Sequence, residues 1–167
     1  CEWFDFDIRT RLTVNHIGLF NSFDAMLIGG GGLFLPDTNP NMISCWQFAI
    51  PKKFILKINT DIHVSSIGLN WFFGQDASMP SRDNNNSVPK RLDIFRDNVD
   101  ALIGASKSFS MRHRGDINQL NEFFNIENKD NISFAFCPVI DYVKEKYSNN
   151  FTPGDLVAFE IKDDRPS

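Results

Sequence analysis

A run of four glycines directly after a short apolar segment is the first feature that could serve chemistry. The segment Ala25-Met26-Leu27-Ile28 has the composition of a buried strand. The glycines that follow it are Gly29, Gly30, Gly31 and Gly32. Their spacing does not match GxGxxG, and no Gly-Lys-Ser/Thr follows, which disfavours dinucleotide and triphosphate sites. Because glycine accepts positive φ and close approach, we expect this loop to bind substrate; a tight packing turn is the alternative.

A basic stretch is the second such feature, and it lies between a predicted strand and a predicted helix. Residues 110–116 are Ser-Met-Arg-His-Arg-Gly-Asp. The guanidinium groups of Arg112 and Arg114 can bind carboxylate or phosphate, and a helix N-terminus adds N–H donors. Asp116 stands where an N-cap residue belongs. The stretch predicts an anion-binding site, with a solvated surface turn as the alternative.

The remaining titratable residues indicate structural roles. His63 lies inside a predicted strand, where a hydrogen-bonded structural histidine is the favoured interpretation. Cys1, Cys45 and Cys137 are far apart and form no CxxC or Cys/His cluster. We therefore expect no metal, no cofactor and no disulfide framework, and a reducing, cytoplasmic location.

Composition sets the class of protein. The chain has 167 residues, 42% of them hydrophobic and 23% charged, which is typical of a folded domain. Its net charge of −4 argues against a dedicated nucleic-acid-binding protein, whose surface should be basic. The apolar runs are too short to predict a transmembrane segment.

Strands and helices alternate along the chain. The predicted strands cover 25–28, 62–69, 108–112 and 132–136, with a weaker candidate at 3–8. The predicted helices are two short ones within 42–58, then 90–105, 116–126 and 139–147; a polar loop covers 74–90. This order predicts an α/β, Rossmann-like parallel sheet with helices on both faces. Ligands of such sheets lie at the carboxyl ends of the strands, here segments 29–34, 68–73, 112–116 and 137–141.

The same pattern suggests how the chain divides. We expect residues 1–150 to form an N-terminal domain that is incomplete at its start, because Cys1 rather than Met stands first. Pro153 and Gly154 break the pattern, and a new strand begins at Leu156. Residues 151–167 are therefore expected to open a second domain.

Five segments, taken in order, resemble elements of the polysaccharide pyruvyl transferase family. They are 23–34 (Phe-Asp-Ala-Met-Leu-Ile-Gly-Gly-Gly-Gly-Leu-Phe), 43–47 (Ile-Ser-Cys-Trp-Gln), 110–116, 136–138 (Phe-Cys-Pro) and 158–165 (Ala-Phe-Glu-Ile-Lys-Asp-Asp-Arg). The third is similar to the family's Ser-x-Arg-x-x-Gly-Ser, with Asp116 in place of the last Ser. The fifth resembles an Ala-x-Asp-Arg element with looser spacing, and the family's Asn-x-Gly-Asp-like turn near the start is absent.

The resemblance implies a two-domain, glycosyltransferase-B-like protein that moves an enolpyruvyl unit from phosphoenolpyruvate to a sugar of a polysaccharide. That reaction needs cations for the donor's carboxylate and phosphate, an acid for its methylene carbon and a base for the sugar hydroxyl. Arg112, Arg114 and Arg165 meet the first need, and His113 is the candidate for proton transfer. A glycosyltransferase that uses a nucleotide-sugar and a non-catalytic sugar-binding module stay open as alternatives.

Overall fold

Four parallel strands form one sheet in the order β1-β2-β3-β4. The computed structural model describes residues 2–36, 39, 41–70 and 88–147. The strands are β1 (Ala25–Gly29), β2 (Asp61–Ile67), β3 (Ser106–Met111) and β4 (Ile132–Phe134). All four overlap the predicted strands, and their parallel pairing confirms the α/β, Rossmann-like fold class.

Helices connect and flank these strands. They are α1 (Val14–Phe20), α2 (Lys52–Ile55), α3 (Val88–Ala105), α4 (Arg114–Phe123) and α5 (Pro138–Tyr147), with a 3-10 turn at Lys129–Asn131. The helices predicted over 90–105, 116–126 and 139–147 match α3, α4 and α5 to within two residues at each end, except at the end of α4. That helix stops three residues early, because Asn125 adopts a left-handed φ of 47°.

One face of the sheet carries the core. Ile28, Val64 and Phe109 are buried on this face, and the apolar stripe of α3 packs over it. Phe34, just beyond β1, is fully buried at the centre. Its ring meets those of Trp46, Phe95 and Phe109 at centroid distances of 5.1, 5.4 and 6.3 Å. Such aromatic contacts add to the area burial that stabilises the domain.

The opposite face of the sheet carries polar side chains from β2 and β3, beside the exposed Leu27 of β1. Strand residues alternate between faces, which places His63, Ser108 and Ser110 away from the core. His63 Nδ1 lies 2.8 Å from Ser108 Oγ, and this gives the histidine the hydrogen-bond partner that a structural role requires. Helices on both faces stay a prediction, because the buried side chains of the described helices join the core on one face.

Two predicted elements are wrong. Residues 3–8 form no strand; Phe6 instead packs its ring edge-on against Phe20, with centroids 5.0 Å apart. The first of the two helices within 42–58 is replaced by turns over 42–48. There the Asn41 amide accepts from Ile43 N at 2.7 Å, and the Ser44 hydroxyl donates to the Phe48 carbonyl at 2.6 Å. These local side-chain bonds to the backbone compete with a helix.

Two other predicted segments lie partly or wholly outside the residues that the structure describes. Residues 74–87 of the predicted loop and all of 151–167 lie outside them, so the second domain stays a prediction. Residues Val88–Lys90 of that loop belong to α3. Within the described ranges, no helix combines the length and the apolar character needed to cross a membrane.

Candidate active site

Three loops meet at the carboxyl edge of the sheet, and the first is the glycine loop. Gly30 and Gly31 have φ of 80° and 71°, a region that side chains with a Cβ enter only at a cost. The Gly30 N–H donates to the Ser65 carbonyl at 3.2 Å. Space is open around both glycines where a Cβ would stand. The loop thus lies at the carboxyl end of its strand, as predicted. The further expectation that this strand is central in the sheet is wrong, because β1 is at the edge of the described sheet.

The other two glycines of the run have different surroundings. Gly29 is the last residue of β1 and lies beside Ser65 of β2. At Gly32, a Cβ would stand only 2.7 Å from Cγ of Asn70, so the missing side chain leaves room for that amide. The Asn70 amide donates to the Gly32 carbonyl at 3.3 Å. The four glycines therefore serve two purposes. Gly30 and Gly31 adopt the positive φ that the turn needs, and Gly32 leaves space for the Asn70 side chain.

The second loop, residues 68–70, follows β2 and runs alongside the glycine loop. The Gly68 N–H donates to the Gly31 carbonyl at 2.9 Å, and the Gly68 carbonyl accepts from Phe34 N at 3.2 Å. Asn70 N donates back to the Phe34 carbonyl at 2.8 Å. These bonds continue the parallel pairing of β1 and β2 past the glycines, so the two loops form one layer of backbone.

Arg112 begins the third loop and lies against the second. Its N–H donates to the Ile67 carbonyl at 3.1 Å, which sets the start of its side chain at the end of β2. The guanidinium occupies the space beside Gly68, where a Cβ would stand 2.6 Å from Cζ. Nε is buried and has no hydrogen-bond partner among the described residues. The described carboxylates form no salt bridge with Arg112, although Asp116 is near enough for the positive charge of Arg112 to lower its pKa.

His113 and Arg114 follow Arg112, and both are exposed. His113 is the N-cap of α4, but its side chain makes no capping hydrogen bond. Arg114 places its guanidinium carbon 4.9 Å from the centroid of the Phe134 ring, a cation–π contact with β4. The structure thus brings Arg112 to the loop after β2, whereas the contact it gives Arg114 is with the neighbouring strand.

Asp116 does not have the role that its position predicted. Because α4 begins at Arg114, Asp116 lies within the first turn and is not the N-cap. Its Oδ2 accepts a hydrogen bond from Leu69 N at 2.9 Å, which ties α4 to the second loop. Partial burial raises the pKa of Asp116, against the smaller lowering effects of the Leu69 bond, His113 and Arg112.

The residue just before the fourth predicted edge segment (137–141) contacts the end of β2 through its backbone. The Ser66 hydroxyl donates to the Phe136 carbonyl at 2.8 Å, joining the end of β2 to the segment after β4. Cys137, next along the chain, is a partly buried free thiol. Cys45 is fully buried, and burial raises the pKa of its thiol. Among the described residues, no group of three or more His, Cys, Asp and Glu side chains is placed to hold a metal ion.

Arg165, the remaining predicted binding residue, lies outside the described residues. Sequence reasoning missed Gly68 and Asn70 as individual residues and misjudged the partner of Asp116. The signal that could have found the first two is their position, since both stand in a segment that follows a strand. No residue type marked them further, because a lone glycine and a lone asparagine after a strand are ordinary turn residues.

Comparison with known protein families, with characterised proteins and with solved structures gives no match to this chain.

Proposed function

We propose that this protein transfers a pyruvyl group from phosphoenolpyruvate to two hydroxyl groups of a sugar in a polysaccharide or its precursor. The observation that carries the proposal is Arg112, a cation beside backbone loops that forms no salt bridge with the described residues. Support comes also from the five segments, in order, that resemble the pyruvyl transferase family. The proposal keeps the cytoplasmic location that the cysteine pattern suggests.

The proposed chemistry assigns each need of the reaction to a place in the chain. Arg112 binds the carboxylate or phosphate of the donor through two parallel hydrogen bonds. The open space beside Gly30 and Gly31 lets the donor approach the backbone of the glycine loop closely. Arg114 and Arg165 are proposed as further anion contacts, on their sequence positions.

Proton and phosphate transfers balance as follows. An acid protonates the methylene carbon, which becomes the methyl group, and the first sugar hydroxyl forms a bond to C2 of the enolpyruvyl unit. The C2–O bond to phosphate then breaks, and a second sugar hydroxyl closes the ketal at C2. One hydroxyl proton replaces the proton given by the acid, and the other leaves with inorganic phosphate. His113, exposed beside Arg112, is the proposed proton carrier.

A donor test separates this function from nucleotide-sugar chemistry on the same architecture. Thermal unfolding of the full-length protein is followed with phosphoenolpyruvate, with a nucleoside diphosphate, and with inorganic phosphate at equal ionic strength. We expect phosphoenolpyruvate alone to raise Tm well above the phosphate control, because a ligand that binds only the folded state stabilises it. Stabilisation by the nucleoside diphosphate alone would favour a glycosyltransferase. Stabilisation by neither, with sugar binding retained, would favour a sugar-binding module.

A further inference from the structure

We propose that Gly68 is a positioning residue for Arg112, because its missing Cβ is the space in which the guanidinium lies. The proposal rests on the proposed function for its consequence, the binding of an anionic donor. It concerns a residue that no motif marked and that does not itself need to touch the substrate.

The contact between the two residues leaves no room for a side chain at position 68. A Cβ added to Gly68 would stand 2.6 Å from Cζ and 2.7 Å from Nη2 of Arg112, with Nε also in contact. Carbon and nitrogen atoms that are not bonded cannot approach so closely. The φ of Gly68 is outside the left-handed region, so an alanine there would keep the backbone conformation. The effect of Gly68→Ala is thus steric.

Three hydrogen bonds hold the backbone at Gly68 and Leu69 in place. Its N–H and carbonyl bond to Gly31 and Phe34 of the glycine loop at 2.9 and 3.2 Å. The next N–H, that of Leu69, donates to Asp116 Oδ2 at 2.9 Å. The guanidinium is the free end of a flexible side chain, and it has no hydrogen bond at Nε to hold it. In Gly68→Ala we therefore expect Arg112 to move while the loop stays in place.

The present position gives the guanidinium a defined direction. Because Nε is buried against the loop, the N–H donors of the two Nη atoms are the ones left to bind a carboxylate or phosphate. A guanidinium displaced into solvent keeps its charge but loses this preorganisation, which costs affinity.

The test compares Gly68→Ala, Arg112→Ala and the double variant with the wild-type full-length protein. Gly18→Ala is the control, since Gly18 lies in α1 with open space around its Cβ position. Exchange of the Arg112 Nε–H with water, measured by NMR without ligand, reports the position of the guanidinium. Calorimetry with phosphoenolpyruvate reports the consequence for binding.

We expect Gly68→Ala to accelerate Nε–H exchange at least fivefold and to weaken phosphoenolpyruvate binding about 10- to 100-fold. Gly18→Ala should change neither quantity by more than twofold. In the double variant, binding should be no weaker than in Arg112→Ala, because Gly68 acts through Arg112. Unchanged exchange in Gly68→Ala, or losses of affinity that add in the double variant, would overturn the proposal.

The two readouts keep this proposal separate from the proposed function. If wild-type protein does not bind phosphoenolpyruvate, the pyruvyl transferase proposal fails, and accelerated exchange in Gly68→Ala still supports the positioning role. If wild-type protein binds the donor and Gly68→Ala leaves exchange and affinity unchanged, the positioning role fails alone.

Discussion

At the residue scale, the surroundings of an arginine decide what its charge can do. Arg96 lies 3.3 Å from carboxylate oxygens of both Asp93 and Asp97 on the surface of α3. Arg112 instead lies on the backbone of the loop after β2, with Nε unpartnered among the described residues. A surface pair such as that of Arg96 contributes little to stability. An arginine held without a salt bridge is the better candidate for ligand binding.

The first prediction at this scale concerns Arg112→Lys. Lysine keeps the charge but cannot form the two parallel hydrogen bonds of a guanidinium. We expect kcat/KM for phosphoenolpyruvate to fall roughly 10- to 1000-fold, which corresponds to about 1.5–4 kcal/mol of lost transition-state stabilisation. Tm should change little because Arg112 is not in the core. Steady-state kinetics measure kcat/KM, and a melting curve measures Tm. An unchanged kcat/KM would show that Arg112 is not part of the site. A large fall in Tm would show that its role is structural.

The second prediction concerns Asp116, whose pKa is raised by burial. The folded state then holds this proton more tightly than the unfolded state, so stability from the protonated form is lost as pH rises through the folded-state pKa. Asp116→Asn keeps an oxygen acceptor for Leu69 N without a charge. We expect the free energy of unfolding of wild-type protein to fall, relative to this variant, as pH rises above about 4.

Asp116→Ala provides the comparison for the hydrogen bond itself. Without an acceptor for the Leu69 N–H, the free energy of unfolding should fall by about 1 kcal/mol. Denaturant unfolding at pH 4, 5.5 and 7 measures all three proteins. Parallel pH dependences for wild-type protein and Asp116→Asn would show that the carboxyl does not titrate abnormally.

At the element scale, the glycine loop shows how the backbone after a strand can form one side of a candidate binding site. β1 ends at Gly29, and the two positive-φ residues that follow turn the chain so that Phe34 resumes pairing beside Leu69. The loop after β2 runs alongside the glycine loop. The third loop leads into α4, which begins at Arg114.

The third prediction belongs to this loop. In Gly30→Val, a β-branched residue would have to occupy a φ of 80°, so we expect a loss of about 1–2 kcal/mol or more of stability. Gly18→Val in α1 is the matched control and should change stability by about 0.5 kcal/mol or less. Denaturant midpoints of the two variants measure the difference. Equal effects would mean that the loop accepts a side chain by moving.

At the scale of the whole molecule, a buried amide of α3 helps to hold the long segment between β1 and β2, to which Arg91 of α3 also bonds at Asn39 and Met42. Asn98 Oδ1 accepts from Trp46 Nε1 at 2.7 Å, and Asn98 Nδ2 donates to the Ile50 carbonyl at 2.7 Å. Asn98 is only 2% exposed, so water cannot replace these bonds. The Asn98 side chain therefore connects parts of the chain about fifty residues apart. It also fixes Trp46, whose ring packs against Phe34 in the core.

The fourth prediction tests this link. Asn98→Leu fills the space but leaves the Trp46 N–H and the Ile50 carbonyl buried without partners. We expect the free energy of unfolding to fall by about 2–4 kcal/mol, a large share of the stability of a small domain. Asn118→Leu, an exposed position on α4, should stay within about 0.5 kcal/mol of wild type. Comparable losses in the two variants would contradict a special role for Asn98.

The amino-acid sequence by itself determined the order of strands and helices and the presence of a glycine turn after β1. These features depend on short-range physics: apolar periodicity, β-branched and apolar runs, and the conformational freedom of glycine. The errors at 3–8 and 42–48 arose where that physics was ambiguous. At 42–48, the side chains of Asn41 and Ser44 bond to the local backbone and replace a helix with turns.

Only the tertiary structure decided which residues meet at the carboxyl edge. Arg112 and Arg114 are residues of the same type in one short stretch. The register of the strands nevertheless places Arg112 against Gly68 and Arg114 against the Phe134 ring. Asp116 finds its hydrogen-bond partner in Leu69, 47 residues earlier in the chain. Such contacts depend on how separate segments align across parallel strands, and no local pattern encodes that alignment.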